Sequence, residues 1–328
     1  MTKQMFDQKV TNWVTAVQVA TVWTTPDSAR KIDSPGLTAP TDIDQWVELL
    51  DYHSKLELCN KNLVQTQVLY GELVELINKE GDWAKVIIPS QPSYKDERGY
   101  PGWIPIYQLA EVGYSTNNYP IQAMVIKDKA WLTNENGKPT IKLSYLSILP
   151  VISIMDKLVK IQTPHGLQYI AREDVELNNI SEGCKQGTGR SIVKAVEDFV
   201  GLAYFWGGMS SFGYDCSGLA YAAHKANGYQ IARDAGDQAK SGKVVAYNHL
   251  QPGDLLFFAY EEGKGKLHHV GIYYGDGKMI HSPQTGKGVE IIELKHTVYE
   301  KELCAARRYW LTNEVNSDGR KNFGGQPT

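Results

Sequence analysis

The chain has 328 residues, enough for two or three domains with cores of their own. With 42% hydrophobic residues, 22% charged residues and a net charge of −3, it reads as a soluble globular protein. That charge excludes the basic footprint expected of a nucleic-acid partner or of binding to an acidic membrane.

No window reaches the run of about 18 apolar residues that a membrane helix needs. The opening stretch MTKQMFDQKVTNWVTAVQVATVWTTP lacks the apolar run and small-residue cleavage site of a signal peptide. The expected location is therefore the cytoplasm, or the cell wall outside it if a leader has been trimmed away. The four cysteines, Cys59, Cys184, Cys216 and Cys304, are scattered without a C-x-x-C pair, so no disulfide framework is expected. Cys59 and Cys304 read as small buried hydrophobes and Cys184 as a linker thiol.

Up to about residue 180 the pattern is that of short strands. VQVATVWTTP, QVLYGELVELINKEGDWAKVII and YPGWIPIYQLAEV alternate apolar and polar residues between Gly, Pro and Asp turns. A turn at Lys79–Asp82 is followed by a strand entered by Trp83. A second unit, AMVIKDKAWLTNENGKPTIKLSYLSILPVISIMDKLVKIQTPHGLQYIAREDVEL, repeats the pattern with a turn at Pro164–Gly166. GWIPIYQL and QYIAREDV close the two units at comparable positions. We expect two small β-barrels, at 1–113 and 114–180. Inside the first, residues 40–62 place Ile43, Trp46, Val47 and Leu50 at helical spacing, with Thr41 or Asp42 as cap. This predicts a helical insertion over about 41–61, either a wall beside a binding site or a packing insert.

Glycines 183, 187 and 189 mark a break at 181–190. Beyond it a helix is expected through Leu202, then a second, SGLAYAAHKANG, closed by Gly228. GDLLFFA, HHVGIYYGDGKMIHSP, GVEIIEL and AARRYWL read as strands. Helices followed by antiparallel strands make 181–311 an α+β domain. The tail, 312–328, is polar and expected to be disordered.

Within that domain, Cys216 opens a helix. Unpaired N–H groups and the helix dipole favour an anion there, and Asp215 is the expected N-cap. Glycines 207, 208 and 213 allow tight turns that leave the sulfur accessible. His269 and His281 flank a GDG hairpin signal. If Tyr274 and Lys278 flank the turn, the two histidines lie diagonally on one face, about 7–8 Å apart at the backbone. His269 then serves as general base for Cys216, and His281 fixes its tautomer. The N–H of Cys216 or Ser217 is placed to meet an oxyanion. His268 should point to the opposite face. A zinc site from Cys216, His269 and His281 is the alternative, but the usual short ligand spacings are absent. No cofactor and no metal are expected.

GYDCSGLA, GDLLFF and HHVGIYYGDGKMIHSP together resemble the NlpC/P60 cysteine peptidases, over roughly 185–311. EGDW and GYPGW of the first unit resemble bacterial SH3-type domains; the second unit has no Trp at either position. The whole chain resembles the YkfC-type γ-D-glutamyl-L-diamino acid endopeptidases, supported by TQVLYGE (66–72), GYPGW (99–103) and RDAG (233–236).

The resemblance implies two SH3-like barrels ahead of a papain-like catalytic domain. It also implies cleavage of murein peptides between D-Glu and the diamino acid, diaminopimelate or Lys, when the peptide bears a free N-terminal L-Ala. By position it assigns Cys216 as nucleophile, His269 as base and His281 as orienter. Tyr204 falls near the oxyanion, and Trp206, Asp215, Ser217, Arg233 and Asp234 line the groove. Tyr100 closes it from the first barrel. Where such enzymes commonly place an acid to meet the substrate amine, this sequence has Gln65, which leaves Asp215 or Asp234 to supply the charge. The implied partners are murein peptides, with no nucleic acid and no membrane, and the implied state is a monomer. Two other functions fit the same residues: a peptide-binding module with weak or lost peptidase activity, and an amidase or acyltransferase acting on another amide.

Overall fold

The computed structural model describes residues 12–114 and 118–310. The expected polar tail, 312–328, and the residues before Asn12 lie outside the described residues.

The alternating pattern of the first unit folds into seven strands: β1 (Asn12–Thr15), β2 (Val19–Trp23), β3 (Val64–Leu69), β4 (Leu73–Glu80), β5 (Trp83–Ile88), β6 (Tyr100–Pro105) and β7 (Leu109–Val112). They pair in the order β3-β2-β6-β5-β4-β1-β7. The second unit supplies β8 (Ile121–Val125), β9 (Lys129–Thr133), β10 (Pro139–Ser144), β11 (Ile148–Ile154), β12 (Leu158–Thr163), β13 (Gly166–Ala171) and β14 (Val175–Asn179). Its order, β10-β9-β13-β12-β11-β8-β14, is the first order shifted by seven. The equivalence of GWIPIYQL and QYIAREDV is visible here. In each unit a strand, β6 or β13, runs into one 3-10 turn and then into a last strand that pairs with the first.

The insertion between β2 and β3 is broken rather than continuous. α1 (Ser34–Leu37) precedes α2 (Ile43–Leu49) and α3 (Tyr52–Asn60). Asp42 caps α2 by accepting from the Gln45 N–H at 3.0 Å. Asp51 caps α3 by accepting from the Ser54 N–H at 2.7 Å. A second capping aspartate starts a new helix where the spacing alone suggested one. Trp46 is fully buried, donates its indole N–H to Asp33 at 2.9 Å, and meets Phe205 edge-on with ring centroids 5.1 Å apart.

In the third unit α4 (Gly189–Glu197) stops short of Leu202. Asp198 is its C-cap, Phe199 turns into the core, and successive turns carry the chain to Gly201, which takes a φ of +92°. A short hairpin, β15 (Met209–Ser210) and β16 (Gly213–Tyr214), leads into α5 (Cys216–Lys225). Strands β17 (Lys243–Val244), β18 (Leu255–Ala259), β19 (Leu267–Gly275), β20 (Lys278–His281), β21 (Glu290–Glu293) and β22 (Leu303–Arg308) form one antiparallel sheet ordered β17-β22-β18-β19-β20-β21. The edge strand β17 and the helical turns at Tyr260–Gly263 and Val298–Glu302 are too short to show a period in sequence.

The three units share interior. One buried cluster joins Trp46 and Leu58 of the insertion, Met124 and Tyr145 of the second unit, and Leu219 and Val270 of the third. Tyr70, from the LYGE turn between β3 and β4, lies in the core of the second barrel, with its hydroxyl 2.9 Å from His165 Nδ1. The Ser211 N–H and hydroxyl both bond the Ser144 hydroxyl, at 3.0 and 3.1 Å. Among the described residues no helix is long and apolar enough to cross a membrane.

Candidate active site

α5 is buried from Ser217 to His224, so its N-terminus is fixed inside the molecule. Gly218 makes this approach possible, since a Cβ there would lie 2.1 Å from the Gly208 carbonyl oxygen. Asp215 caps the helix, one oxygen accepting from the Gly218 N–H at 2.7 Å and the other from the Gly207 N–H at 3.0 Å. Arg233 grips the same carboxylate with two nitrogens, at 2.7 and 3.2 Å. It also donates to the Ser217 hydroxyl at 2.8 Å and, through Nε, to the Thr66 hydroxyl of β3 at 2.9 Å. Arg233 is only 1% exposed, so its bonds fasten the cysteine loop to the first barrel.

Cys216 therefore heads its helix as expected, but its thiol does not ionise early. Burial, followed by the Asp215 charge, pushes it up to about 12, against hydrogen bonding from the Val270 and Ser217 backbones and the more distant Arg233. Desolvation outweighs the helix terminus here. The residue as a whole keeps partial exposure.

The hairpin carrying the histidines turns at Asp276–Gly277, both at positive φ, between Gly275 and Lys278. Tyr274 is bulged out, which restores the register expected from a turn flanked by Tyr274 and Lys278: Ile272 faces Ile280, so His269 and His281 are diagonal on one face. His269 Nε2 lies 2.8 Å from His281 Nδ1. Both rings are buried and pack against Tyr299, with centroids 5.3 and 5.1 Å away. Burial, with smaller contributions from His281 and His268, holds His269 well below the usual imidazole range. Burial and then Lys287 hold His281 at about 3. His268 turns away, stacking on Tyr260 and bonding Glu302 at 3.0 Å.

The remaining residues fall into two groups. Tyr204 is 7% exposed, and burial is the first cause that raises its hydroxyl well above the usual phenol range. Trp206 donates its indole N–H to the Val64 carbonyl at 3.0 Å, and Ser217 bonds Asp215 at 3.2 Å. Trp206 is thereby tied to β3, and Ser217 to the Asp215–Arg233 pair. Gln65, Tyr100 and Asp234 form a separate group at the barrel junction, where the Tyr100 hydroxyl donates to both Asp234 oxygens, at 3.1 and 2.9 Å. Of the two candidate acids, Asp215 is consumed by internal bonds, whereas Asp234 is 35% exposed.

Sequence reasoning missed Glu290 and Lys95. Glu290 pairs with His281 across β20 and β21 and brings a carboxylate oxygen to 3.4 Å from His281 Nε2. A reading of that strand pairing would have found it. Lys95 lies in an irregular loop with no motif. The Cys59 thiol of α3 is raised first by burial and then by the Asp215 charge. Among the described residues no group of three or more His, Cys, Asp or Glu is arranged to hold a metal ion.

Residues 201–308 match the NlpC/P60 family, and residues 125–177 match the YkfC SH3b2 domain. A gamma-D-glutamyl-L-lysine dipeptidyl-peptidase of Bacillus subtilis (strain 168) is 48% identical over 290 residues, covering 88% of this chain and 96% of that protein. A second protein of that name, from Bacillus cereus (strain ATCC 10987), is 38% identical over 299 residues and 89% of each chain. The crystal structure of a NlpC/P60 family protein from Bacillus cereus ATCC 10987 superposes with a TM-score of 0.86 at 37% identity, covering 92% of this chain and 100% of that one. Likeness of this extent runs through both barrels and the third unit alike, and it makes the chain a cysteine peptidase of the NlpC/P60 family.

Proposed function

We propose that the chain hydrolyses the amide between γ-D-Glu and an L-diamino acid, lysine or diaminopimelate, in murein peptides with a free N-terminal L-Ala. The observation that carries this reading is the 2.8 Å contact of His269 and His281 on a hairpin packed against the helix that Cys216 begins. The B. subtilis and B. cereus relatives, named for action at γ-D-glutamyl-L-lysine, support the choice of bond.

For His269 to act as base through Nδ1, its Nε2 must carry the proton and donate to His281 Nδ1. His281 then carries its own proton on Nε2, toward Glu290. As Cys216 attacks the γ-carbonyl carbon, its thiol proton passes to His269 and the carbonyl oxygen becomes the oxyanion. The Cys216 or Ser217 N–H and the Tyr204 hydroxyl donate to that oxygen. The C–N bond breaks as His269 returns the proton to the leaving amine. Water, deprotonated by His269, then cleaves the thioester and restores the thiol. Neutral resting partners suit this sequence, because the charge pair forms only as the substrate is attacked.

At the other end of the groove, Asp234, Tyr100 and Gln65 present oxygens to the L-Ala amine. Closure by the first barrel suits short peptides rather than intact wall, so we place the enzyme in recycling of wall fragments. Four unpaired cysteines fit a reducing cytoplasm. In this reading the work divides among a first barrel at 1–113, a second at 114–180 and a catalytic domain at 181–311. One chain supplies every group, so a monomer suffices.

Mass spectrometry of L-Ala-γ-D-Glu-L-Lys and its diaminopimelate counterpart, incubated with the enzyme, tests the proposal. We expect L-Ala-γ-D-Glu and the free diamino acid from wild type and none from Cys216→Ala. Intact peptide in both, or cleavage at another amide, rejects it.

A further inference from the structure

The three oxygens at the barrel junction are already occupied by a side chain of the protein itself. Lys95 Nζ donates to Gln65 Oε1 at 2.7 Å and to the Tyr100 hydroxyl, and lies 3.4 Å from Asp234 Oδ2. It also sits 4.2 Å from the centroid of the Tyr100 ring. One ammonium thus meets an amide oxygen, a phenol, a carboxylate and an aromatic face, the partners an ammonium ligand would seek.

The lysine is delivered there by an anchored loop. Between β5 and β6, the Ser90 carbonyl accepts from the Tyr221 hydroxyl at 2.5 Å and from Gln230 Nε2 at 3.1 Å. The Pro92 carbonyl accepts from the Arg233 N–H at 3.0 Å, and the Tyr94 N–H donates to Asp237 at 3.1 Å. These bonds fix the backbone around Lys95 to both sides of Asp234. The side chain beyond that anchor stays displaceable, since Lys95 is 42% exposed and Asp234 35% exposed. Gln65 is held in turn, its amide nitrogen donating to Thr24 and Asn62 at 2.6 and 3.1 Å, which turns its oxygen toward the lysine.

We propose that Lys95 is a resident stand-in for the substrate's α-ammonium. It keeps the Gln65–Tyr100–Asp234 cradle assembled and must leave for a peptide amine to bind. The exchange is one ammonium for another, while Arg233 Nη1, 3.9 Å from Asp234 Oδ1, stays beside the carboxylate throughout. With Gln rather than an acid at position 65, the cradle offers one carboxylate for two competing cations. Lys95 therefore sets the threshold for amine binding. The proposal rests on the functional reading for the identity of the amine.

The test is calorimetric binding of L-Ala-γ-D-Glu, and of the same dipeptide acetylated on its amine, to wild type, Lys95→Met and Lys95→Arg. Removing the competing ammonium should tighten the free-amine dipeptide about fivefold in Lys95→Met, the worth of an exposed charge pair. The acetylated dipeptide should be unmoved, and Lys95→Arg should bind the free amine no better than wild type. Weaker or unchanged binding of the free-amine dipeptide to Lys95→Met overturns the proposal. Equal tightening of both dipeptides does so too, as does failure of the free-amine form to bind any of the three proteins. A wild type that binds the dipeptide but cleaves no γ-D-glutamyl peptide rejects the functional reading and leaves the cradle result standing.

Discussion

In the proposed mechanism Cys216 starts as a neutral thiol, because the same burial that fixes its geometry raises its ionisation to about 12. His269, its proposed base, is held neutral chiefly by burial as well. A nucleophile of this kind depends on proton transfer during attack rather than on a standing thiolate. Alkylation of Cys216 by iodoacetamide should therefore be slow at pH 7 and rise roughly tenfold per pH unit up to pH 9. A rate that levels off below pH 7 would reveal a preformed thiolate–imidazolium pair instead. The placement of Cys216 at a helix start and of His269 beside His281 was legible in sequence because a cysteine after a capping aspartate, and two histidines across a two-residue turn, are local patterns. The ionisation was not, because desolvation comes from residues contributed by distant segments.

At the scale of elements, the N-terminal turn of α5 depends on the absence of a side chain at Gly218. A methyl there meets the Gly208 carbonyl, which is backbone and cannot rotate away. Gly218→Ala should push apart the 207–208 turn and loosen the bond between Asp215 and the Gly207 N–H. It should cost about 1–3 kcal/mol of stability, with kcat falling further than the stability loss explains. Thermal melts and steady-state kinetics at a temperature where the variant is folded would check this; full turnover would mean the turn tolerates the shift. The register of the histidine hairpin could be read from Asp276–Gly277 and the alternation around it, although the bulge at Tyr274 could not. The break between α2 and α3 was written in Asp51 but masked by apolar residues that continue the helical spacing. Trp46 gave no sign of its contact, because Phe205 belongs to another unit.

Across the whole molecule, buried neutral histidines link stability to pH. His224 is enclosed in α5, with Nδ1 donating to the Ala220 carbonyl at 2.8 Å and burial holding it at about 4. In the unfolded chain it titrates near 6.5. Between those values only the unfolded chain takes the proton, so stability is complete above about 6.5 and declines toward 4. His269 and His281 act in the same direction. The loss from His224 should be about 2 kcal/mol by pH 5. Melting temperatures at pH 7.5 and 5 should therefore differ, and by less in His224→Gln; equal pH dependence in both proteins would acquit this residue. The division into two barrels and an α+β domain was legible because each unit has its own strand periodicity and turn residues. The fusion of their interiors was not, because the joining side chains look like ordinary core residues of their own units.

Tyr70 carries the further consequence of that fusion. Its ring belongs to one barrel by chain order and to the next by packing, where it completes the interior among Leu132, Leu149 and Ile161. The second barrel gives no side chain to the Cys216–His269–His281 chain or to the Lys95 cradle, yet cutting it away would strip Tyr70 of its socket next to β3. That strand carries Thr66, and Thr66 receives the guanidinium that steadies the cysteine loop. The apparent bystander thus braces the cysteine loop from behind, through this phenol ring as well as through the Ser144–Ser211 bonds.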